Sequence, residues 1–435
     1  MAIQKLEIQG YRSFREIAWH PGKLNLLVGP NGAGKSNLLR LLELISDVAK
    51  GKLAASINDP AIGGIVPLLW DHQARMVGWK LRMDPVDPGR DPIQDALTFE
   101  FELEHLRRTS SYQISKDSLG NWVGFEEGLK NSPLWIYTRD SRRAMVYDTQ
   151  VRNLVPFPDP DQNESLLPQV SEPRTNPIPS HTKRYLDAWR IYHDVHVERG
   201  SPMRLPATTQ YVKLVATDGS NLTSVLHTLY TSDWDFKHQI NEGMRAGFGD
   251  QFEELVFQPV AAQQVQLAVK WRTSKQAHAG QDLSDGTLRF LFLLTVLASP
   301  EPASLIAIDE PEVGLHPGML PIIAEYAAAA ADRTQVIMTS HSPVFLDAFS
   351  SVSPQVTLLH WEEGQTLLYD LTADTMEKWL AQYRLGQLFT SGDLEALAMP
   401  PVEQIPDLSE RLKDLPSEDA ALPVTGSGFL EEKHG

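Results

Sequence analysis

Residues Gly29-Pro30-Asn31-Gly32-Ala33-Gly34-Lys35-Ser36 form a complete G-x-x-x-x-G-K-S loop. Glycines at these spacings permit a tight path that turns backbone N–H groups toward phosphate oxygens. In that pattern the lysine, Lys35, reaches the β and γ oxygens of a nucleoside triphosphate, and the Ser36 hydroxyl ligates Mg²⁺. Asn37 follows in the first turn of the expected helix, whose N-terminus also attracts the phosphates. Far along the chain, the apolar run Ser304-Leu305-Ile306-Ala307-Ile308 ends in Asp309-Glu310. A buried strand delivers two carboxylates only to a polar site at its tip. Asp309 is then placed to hold Mg²⁺ through its water shell, and Glu310 to orient and deprotonate an attacking water. The plainer readings, a glycine turn without ligand and two carboxylates capping the next helix, fit these patterns less well.

Other signals are weaker alone. Leu283-Ser284-Asp285-Gly286-Thr287 precedes an apolar helix, Leu288 to Leu297, but S-x-G is also a common helix start. His341, within Thr339-Ser340-His341-Ser342-Pro343, reads equally well as a loop histidine. His193-Asp194-x-His196 has metal-ligating types but no third partner, so it reads as a polar strand or loop. Arg107-Arg108, Arg139, Arg142-Arg143 and Lys183-Arg184, with Trp135, Tyr185 and Trp189 nearby, have the types that track a nucleic-acid backbone and stack bases. A net charge of −17 favours solvated faces instead.

The elements that must carry these groups are legible as patterns. Leu24 to Val28 reads as a buried strand entering the loop, and Leu38, Leu39, Leu41, Leu42 and Ile45 recur at helical spacing until Gly51. Leu97, Phe99, Phe101 and Leu103 alternate with polar residues as an antiparallel strand, and Val265, Leu267 and Val269 do the same. Helical spacing spans Asn221 to about Leu255, and two buried strands at Ser304 and Gln335 bracket an alanine-rich helix. The prolines between Pro156 and Pro179 predict an irregular connection, and Met83 to Pro92 a turn-rich loop. These patterns divide the chain into an N-terminal lobe at 1–155, a connection with a helical insertion at 156–260, a C-terminal lobe at 261–399 and a loosely ordered acidic tail at 400–435.

With 435 residues, 42% hydrophobic and 22% charged, the chain can bury a sizeable core. It has no cysteine, which excludes disulfides, thiolate zinc sites and a cysteine nucleophile. The longest nearly apolar run, Phe290 to Ala298, falls far short of the roughly 20 residues that span a bilayer. A cytoplasmic protein without membrane contact is expected.

The order of parts, phosphate loop, S-x-G helix start, strand ending in Asp-Glu, strand ending in Ser-His, resembles the ATP-binding cassette class of ATPases. Within it the chain resembles the RecF, SMC and OLD-nuclease-like group, most of all the stand-alone RecF-like ATPases of prokaryotes. The residues that carry this are Tyr11-Arg12-Ser13-Phe14, Asp218-Gly219-Ser220-Asn221-Leu222, Asp309-Glu310-Pro311-Glu312 with Gly314-Leu315-His316-Pro317, and the run Arg384 to Gly392. The resemblance implies an α/β fold: an ABC-type P-loop ATPase head in two lobes, with a mixed sheet and a helical insertion. It implies ATP and Mg²⁺ as ligands, sandwiched between two heads of a homodimer or higher oligomer. Ser284 and Gly286 of one subunit would then reach the γ-phosphate held by Lys35 of the other. His341 becomes the catalytic switch histidine that senses the γ-phosphate, and Arg12 a phosphate contact. The Q-loop glutamine has no clear position; Gln73 and Gln113 are the candidates.

Lys35 and Ser284 lie 249 residues apart, too close for the long coiled coil of SMC-like proteins and farther apart than in transporter cassettes. The 94 residues after His341 leave little room for the Toprim nuclease domain that OLD-type nucleases carry. The expected role is a dimeric ATPase switch in nucleic-acid transactions, in anti-phage defence, controlling a separately encoded effector such as a Toprim-like nuclease. A RecF-like repair ATPase and a non-hydrolysing ATP-binding scaffold are the alternatives, and Glu310 favours hydrolysis over the scaffold.

Overall fold

A computed structural model describes residues 1–72, 74–87, 89–90, 95–106, 111–121, 134–193, 195–261, 263–371 and 384–391. The chain opens with an antiparallel hairpin of β1 (Ile3–Tyr11) and β2 (Phe14–Trp19). Next comes β3 (Leu24–Val28), buried at every position and apolar at all but Asn25, as an inner strand requires. It runs through the glycine loop into the helix Lys35–Lys50.

Six further strands, β4 (Met76–Met83), β5 (Leu97–Leu106), β6 (Ser111–Asn121), β7 (Leu134–Asp140), β8 (Ala144–Asp148) and β9 (Asn153–Pro156), extend the hairpin into an eight-stranded sheet of order β2-β1-β4-β5-β6-β7-β8-β9. Along β5 the expected alternation holds from Phe99 onward, with Phe99, Phe101 and Leu103 buried and Glu100, Glu102 and Glu104 half-buried, whereas Leu97 and Thr98 are both buried.

Two expectations are corrected in the middle of the chain. The proline-rich stretch is not wholly irregular, because Pro177 and Pro179 begin the helix Pro177–Asp187. A proline in the first turn gives up only an N–H that has no intrahelical partner. That helix delivers β10 (Trp189–Tyr192), so the segment 156–260 contributes a strand to the central sheet. The helical pattern ends before Leu255. Helices Leu222–Ser232 and Trp234–Phe248 are separated at Asp233, whose carboxylate caps the second by accepting from the Phe236 N–H at 2.8 Å. Gly249, at φ 67°, then turns the chain into a strand.

Strands β11 (Ala207–Thr208), β12 (Phe252–Val260), β13 (Gln264–Trp271) and β14 (His278–Ala279) form a small antiparallel sheet. After the helix Asp285–Ala298 come β15 (Leu305–Ile308), the helix Leu320–Ala331, β16 (Gln335–Ser340), a short helix Pro343–Ala348, and the hairpin β17 (Gln355–Glu362) with β18 (Gln365–Leu371). The central sheet has the order β10-β15-β16-β3-β17-β18, with β18 antiparallel to the rest.

Side-chain alternation along this sheet divides the core in two. Leu24, Leu26, Ile306, Ile308, Val336 and Met338 pack with the helices Leu222–Ser232, Trp234–Phe248, Asp285–Ala298 and Leu320–Ala331. Leu27, Leu305, Ala307 and Ile337 pack with the helix Lys35–Lys50 and the eight-stranded sheet. A parallel sheet covered on both faces in this way is an α/β core. No helix among the described residues is long and apolar enough to cross a membrane. Gln73, Arg107, Arg108, Asp194, Gly392 and the acidic tail lie outside the described residues.

Candidate nucleotide site

Parallel strands bring their C-terminal tips to one edge of the sheet. Here β3 ends at the glycine loop, β15 at Asp309, β16 at His341 and β10 at His193. The ladder sets Val28 beside Ser340 and Ile308 beside Met338 and Tyr192, so residues far apart in sequence converge.

In the loop, Pro30, Asn31 and Gly32 are exposed, whereas Ala33, Gly34 and Lys35 are buried. Gly34 has φ 102°, and a methyl group on it would lie 2.4 Å from Thr366 Oγ1, so only glycine fits. Thr366 Oγ1 donates to the Ala33 carbonyl at 2.9 Å, and Asn37 Nδ2 donates to Ser13 Oγ at 2.9 Å. The Lys35 ammonium, 5% exposed, donates to the carbonyls of Gly29 at 2.7 Å and Pro30 at 3.0 Å. Burial lowers its pKa, opposed by the charges of Glu310, Asp309 and Glu312.

Ser36 Oγ donates to Asp309 Oδ2 at 2.9 Å, and Thr339 Oγ1 donates to Asp309 Oδ1. Burial pushes the Asp309 carboxyl up, but the His193 imidazole beside it and the hydrogen bonds from Thr339 and Ser36 outweigh it and hold the group below the usual carboxylate range. A hydroxyl and an ionised carboxylate oxygen meeting at one point are the hard oxygen ligands that Mg²⁺ takes, so these residues fit the ion.

Glu310 adopts φ 45°, a region non-glycine residues rarely occupy. Its N–H donates to Thr339 Oγ1 at 3.0 Å and its carbonyl accepts from Arg289 at 3.3 Å. Its carboxylate lies 2.8 Å from His341 Nδ1, so the expected base and the expected switch histidine touch. Beside them Glu312 accepts from Ser340 Oγ, and burial raises its pKa.

Ser284 caps the helix Asp285–Ala298, its Oγ accepting from the Thr287 N–H at 3.1 Å. A Cβ on Gly286 would lie 2.7 Å from the Gly314 carbonyl, so this helix start packs against the segment after β15. Arg204, 4% exposed, anchors the turn: it donates to the carbonyls of Val197, Glu198, Gly280 and Leu283 and pairs with Asp285. Ser284 lines a cleft of about 820 Å³ with Arg199, Arg204, Gln281 and Asp285, in which no phosphate-loop residue takes part. Arg12 lines a different cavity, about 450 Å³, with Arg40, Glu43, Asp47 and His193 on the flank of the helix Lys35–Lys50.

Four of the other candidate residues are held in the fold, whereas Arg142, Arg143 and Arg184 are exposed. Gln113 donates to Glu104 within the antiparallel sheet. Arg139 is buried and donates to the carbonyls of Asp161 and Glu164, and Tyr185 and Trp189 meet edge to face in the core. Those three are not available to stack or track a nucleic acid. Sequence reasoning missed Thr339, Arg204 and Arg289. Of these, Thr339 had a signal, a polar residue directly after the apolar run Val336-Ile337-Met338.

Comparisons with known proteins bear on the family and the fold. A family model described as "AAA domain, putative AbiEii toxin, Type IV TA system" matches residues 24–347. The OLD nuclease of Thermus scotoductus (strain ATCC 700910 / SA-01) is 22% identical over 355 residues, covering 79% of this chain. The chain spans 60% of that relative's length. Among solved structures, the SMC head bound to the C-winged helix domain of ScpA matches with a TM-score of 0.52 at 12% identity, covering 87% of this chain and 100% of that one. The shared fold is that of an ABC-type P-loop ATPase head.

Proposed function

The chain belongs to the AAA-domain family whose model spans residues 24–347, and from that membership we propose that it hydrolyses ATP as a dimeric switch in nucleic-acid transactions. The observation that carries this reading is the meeting of Ser36 and Asp309 at 2.9 Å, with Lys35 beside them and the Glu310–His341 pair at the next strand tips. Lys35 exchanges the Gly29 and Pro30 carbonyls for phosphate oxygens, and the loop N–H groups bind the rest. Ser36 and Asp309 would hold Mg²⁺, which when bound would offset the charge of the phosphate oxygens. Glu310 takes the proton of the attacking water, while His341 orients the Glu310 carboxylate.

Ser284 sits in a cleft separate from the phosphate loop, with Gly286 two residues on in the same helix start. That separation supports a site completed by a second subunit, whose Ser284 approaches the γ-phosphate. The likeness to an OLD nuclease supports a link to nucleic-acid cleavage. We place the protein in anti-phage defence, with its ATP-bound dimer controlling a separately encoded nuclease.

The test is turnover by the purified chain with Mg²⁺ and ATP, alongside Glu310→Gln and Lys35→Ala. Glu310→Gln is expected to retain ATP binding and lose roughly 10²-fold or more of the rate; Lys35→Ala is expected to lose binding. Turnover by Glu310→Gln at the wild-type rate would remove Glu310 as the base.

A further inference from the structure

We propose that His193 is a positioning residue of the nucleotide site: its imidazole, held between Glu43 on the phosphate-loop helix and Asp309 at the tip of β15, keeps the metal-binding carboxylate aligned with Ser36. This rests on the ATPase reading above and adds a residue to it.

The backbone sets the placement. Residues 189–192 pair in parallel with 305–308, and the Asp309 N–H donates to the Tyr192 carbonyl at 2.9 Å. His193 and Asp309 are therefore the first residues beyond the ladder on neighbouring strands. His193 Nδ1 lies 3.6 Å from Asp309 Oδ2, the oxygen that also accepts from Ser36 Oγ. The other ring nitrogen, Nε2, is buried without a hydrogen-bond partner and lies 3.7 Å from Glu43 Oε2. A buried ring nitrogen left unpaired costs free energy, and the Glu43 carboxylate is the acidic group that faces it. Glu43 stands seven residues, two helical turns, beyond Ser36 and thus on the same side of the helix. The ring therefore bridges the helix that carries one metal-binding oxygen and the strand that carries the other.

The other members of the motif do not share this role. His196 is exposed and lies 3.6 Å from Glu198, and Asp194 is outside the described residues. His193 acts through Asp309. Thr339 fixes Oδ1, while Oδ2 is shared between Ser36 and His193. A Ser36 hydroxyl that gives a lone pair to a metal keeps its O–H for Oδ2, and the His193 ring beside that oxygen limits how the carboxylate can turn. Loss of such an outer partner of a ligating carboxylate typically costs 10–100-fold in metal affinity.

The experiment measures ATP binding by the full-length chain in EDTA and across a Mg²⁺ titration, for wild type, His193→Ala, His193→Gln and Lys35→Ala. His193→Ala is expected to bind ATP in EDTA within about twofold of wild type and to need roughly 10–100-fold more Mg²⁺ for the Mg²⁺-dependent gain. His193→Gln, whose amide also donates toward Asp309, is expected to recover most of that requirement. An unchanged Mg²⁺ requirement in His193→Ala, or an equal loss of binding in EDTA and in Mg²⁺, overturns the proposal. Wild-type binding no tighter than that of Lys35→Ala would instead sink the nucleotide reading, and this proposal with it.

Discussion

Replacing Asp117 by asparagine should remove a pH dependence that the fold builds into its antiparallel sheet. Asp117 lies on β6, fully buried, and its carboxylate accepts from Tyr137 Oη at 3.1 Å, Ser165 Oγ at 2.9 Å and the Leu166 N–H. It ties the proline-rich connection to the sheet. Burial raises its pKa to about 6 from 3.8, against the pull of the Leu166, Ser165 and Tyr137 hydrogen bonds. Because the folded value lies above the unfolded one, the native state binds the proton more tightly. The stability this contributes is fully present below about pH 4 and is lost as pH rises through 6. Between pH 8, where the group is ionised in both states, and pH 5, where the native carboxyl is mostly protonated, wild type should gain about 1–2 kcal/mol over Asp117→Asn. Urea unfolding of both proteins at the two pH values, followed by tryptophan fluorescence at fixed ionic strength, gives the difference of differences and cancels the other carboxylates. A gap between the two proteins that stays constant from pH 8 to pH 5, or narrows at pH 5, would refute the reasoning.

If two subunits share each nucleotide, mixing Lys35→Ala with Ser284→Arg should restore part of the ATPase activity, since one composite site then carries both lesions and the other neither. A dead mixture in which mixed dimers demonstrably form counts against the shared site. Gly34→Ala places a Cβ 2.4 Å from Thr366 Oγ1 at φ 102°; it should destabilise the loop by about 1–3 kcal/mol and weaken ATP binding at least tenfold, and wild-type affinity in a titration would contradict that. Arg204→Met strands the buried carbonyls of Gly280 and Leu283. It should cost about 2–4 kcal/mol and expose the Leu283–Gly286 amides to hydrogen exchange, and unchanged protection there would show that Arg204 does not hold the turn.

The residues at the strand tips were legible because their chemistry is local: a glycine loop, an apolar strand ending in acids and an apolar strand ending in Ser-His each state their role within a few positions. The helix Lys35–Lys50 and strand β5 followed from periodicity alone. What escaped depended on pairing across the chain. Trp189–Tyr192 is only four residues long and follows a proline-rich stretch, so nothing local marks it as the neighbour of β15. Without that pairing, His193 looks like a loop residue. Arg204 and Asp117 carry charges that composition assigns to the surface, and only the carbonyls and donors gathered around them explain their burial. The helical reading ran on to Leu255 because its apolar spacing continues, while the turn at Gly249 overrides it.

The strand order β10-β15-β16-β3-β17-β18 has a consequence for how the protein is made. The phosphate-loop strand emerges from the ribosome early, yet both its sheet neighbours, β16 and β17, are encoded more than 300 residues later. At about 5–20 residues per second, that separation corresponds to roughly 15–60 s of synthesis. During this interval β3, apolar at four of its five positions, has no ladder to join. Meanwhile β1, β2 and β4 to β9 can pair among themselves, mostly with strands close in sequence. The helix Lys35–Lys50 packs against that antiparallel sheet, all of whose strands are made before β16 and β17.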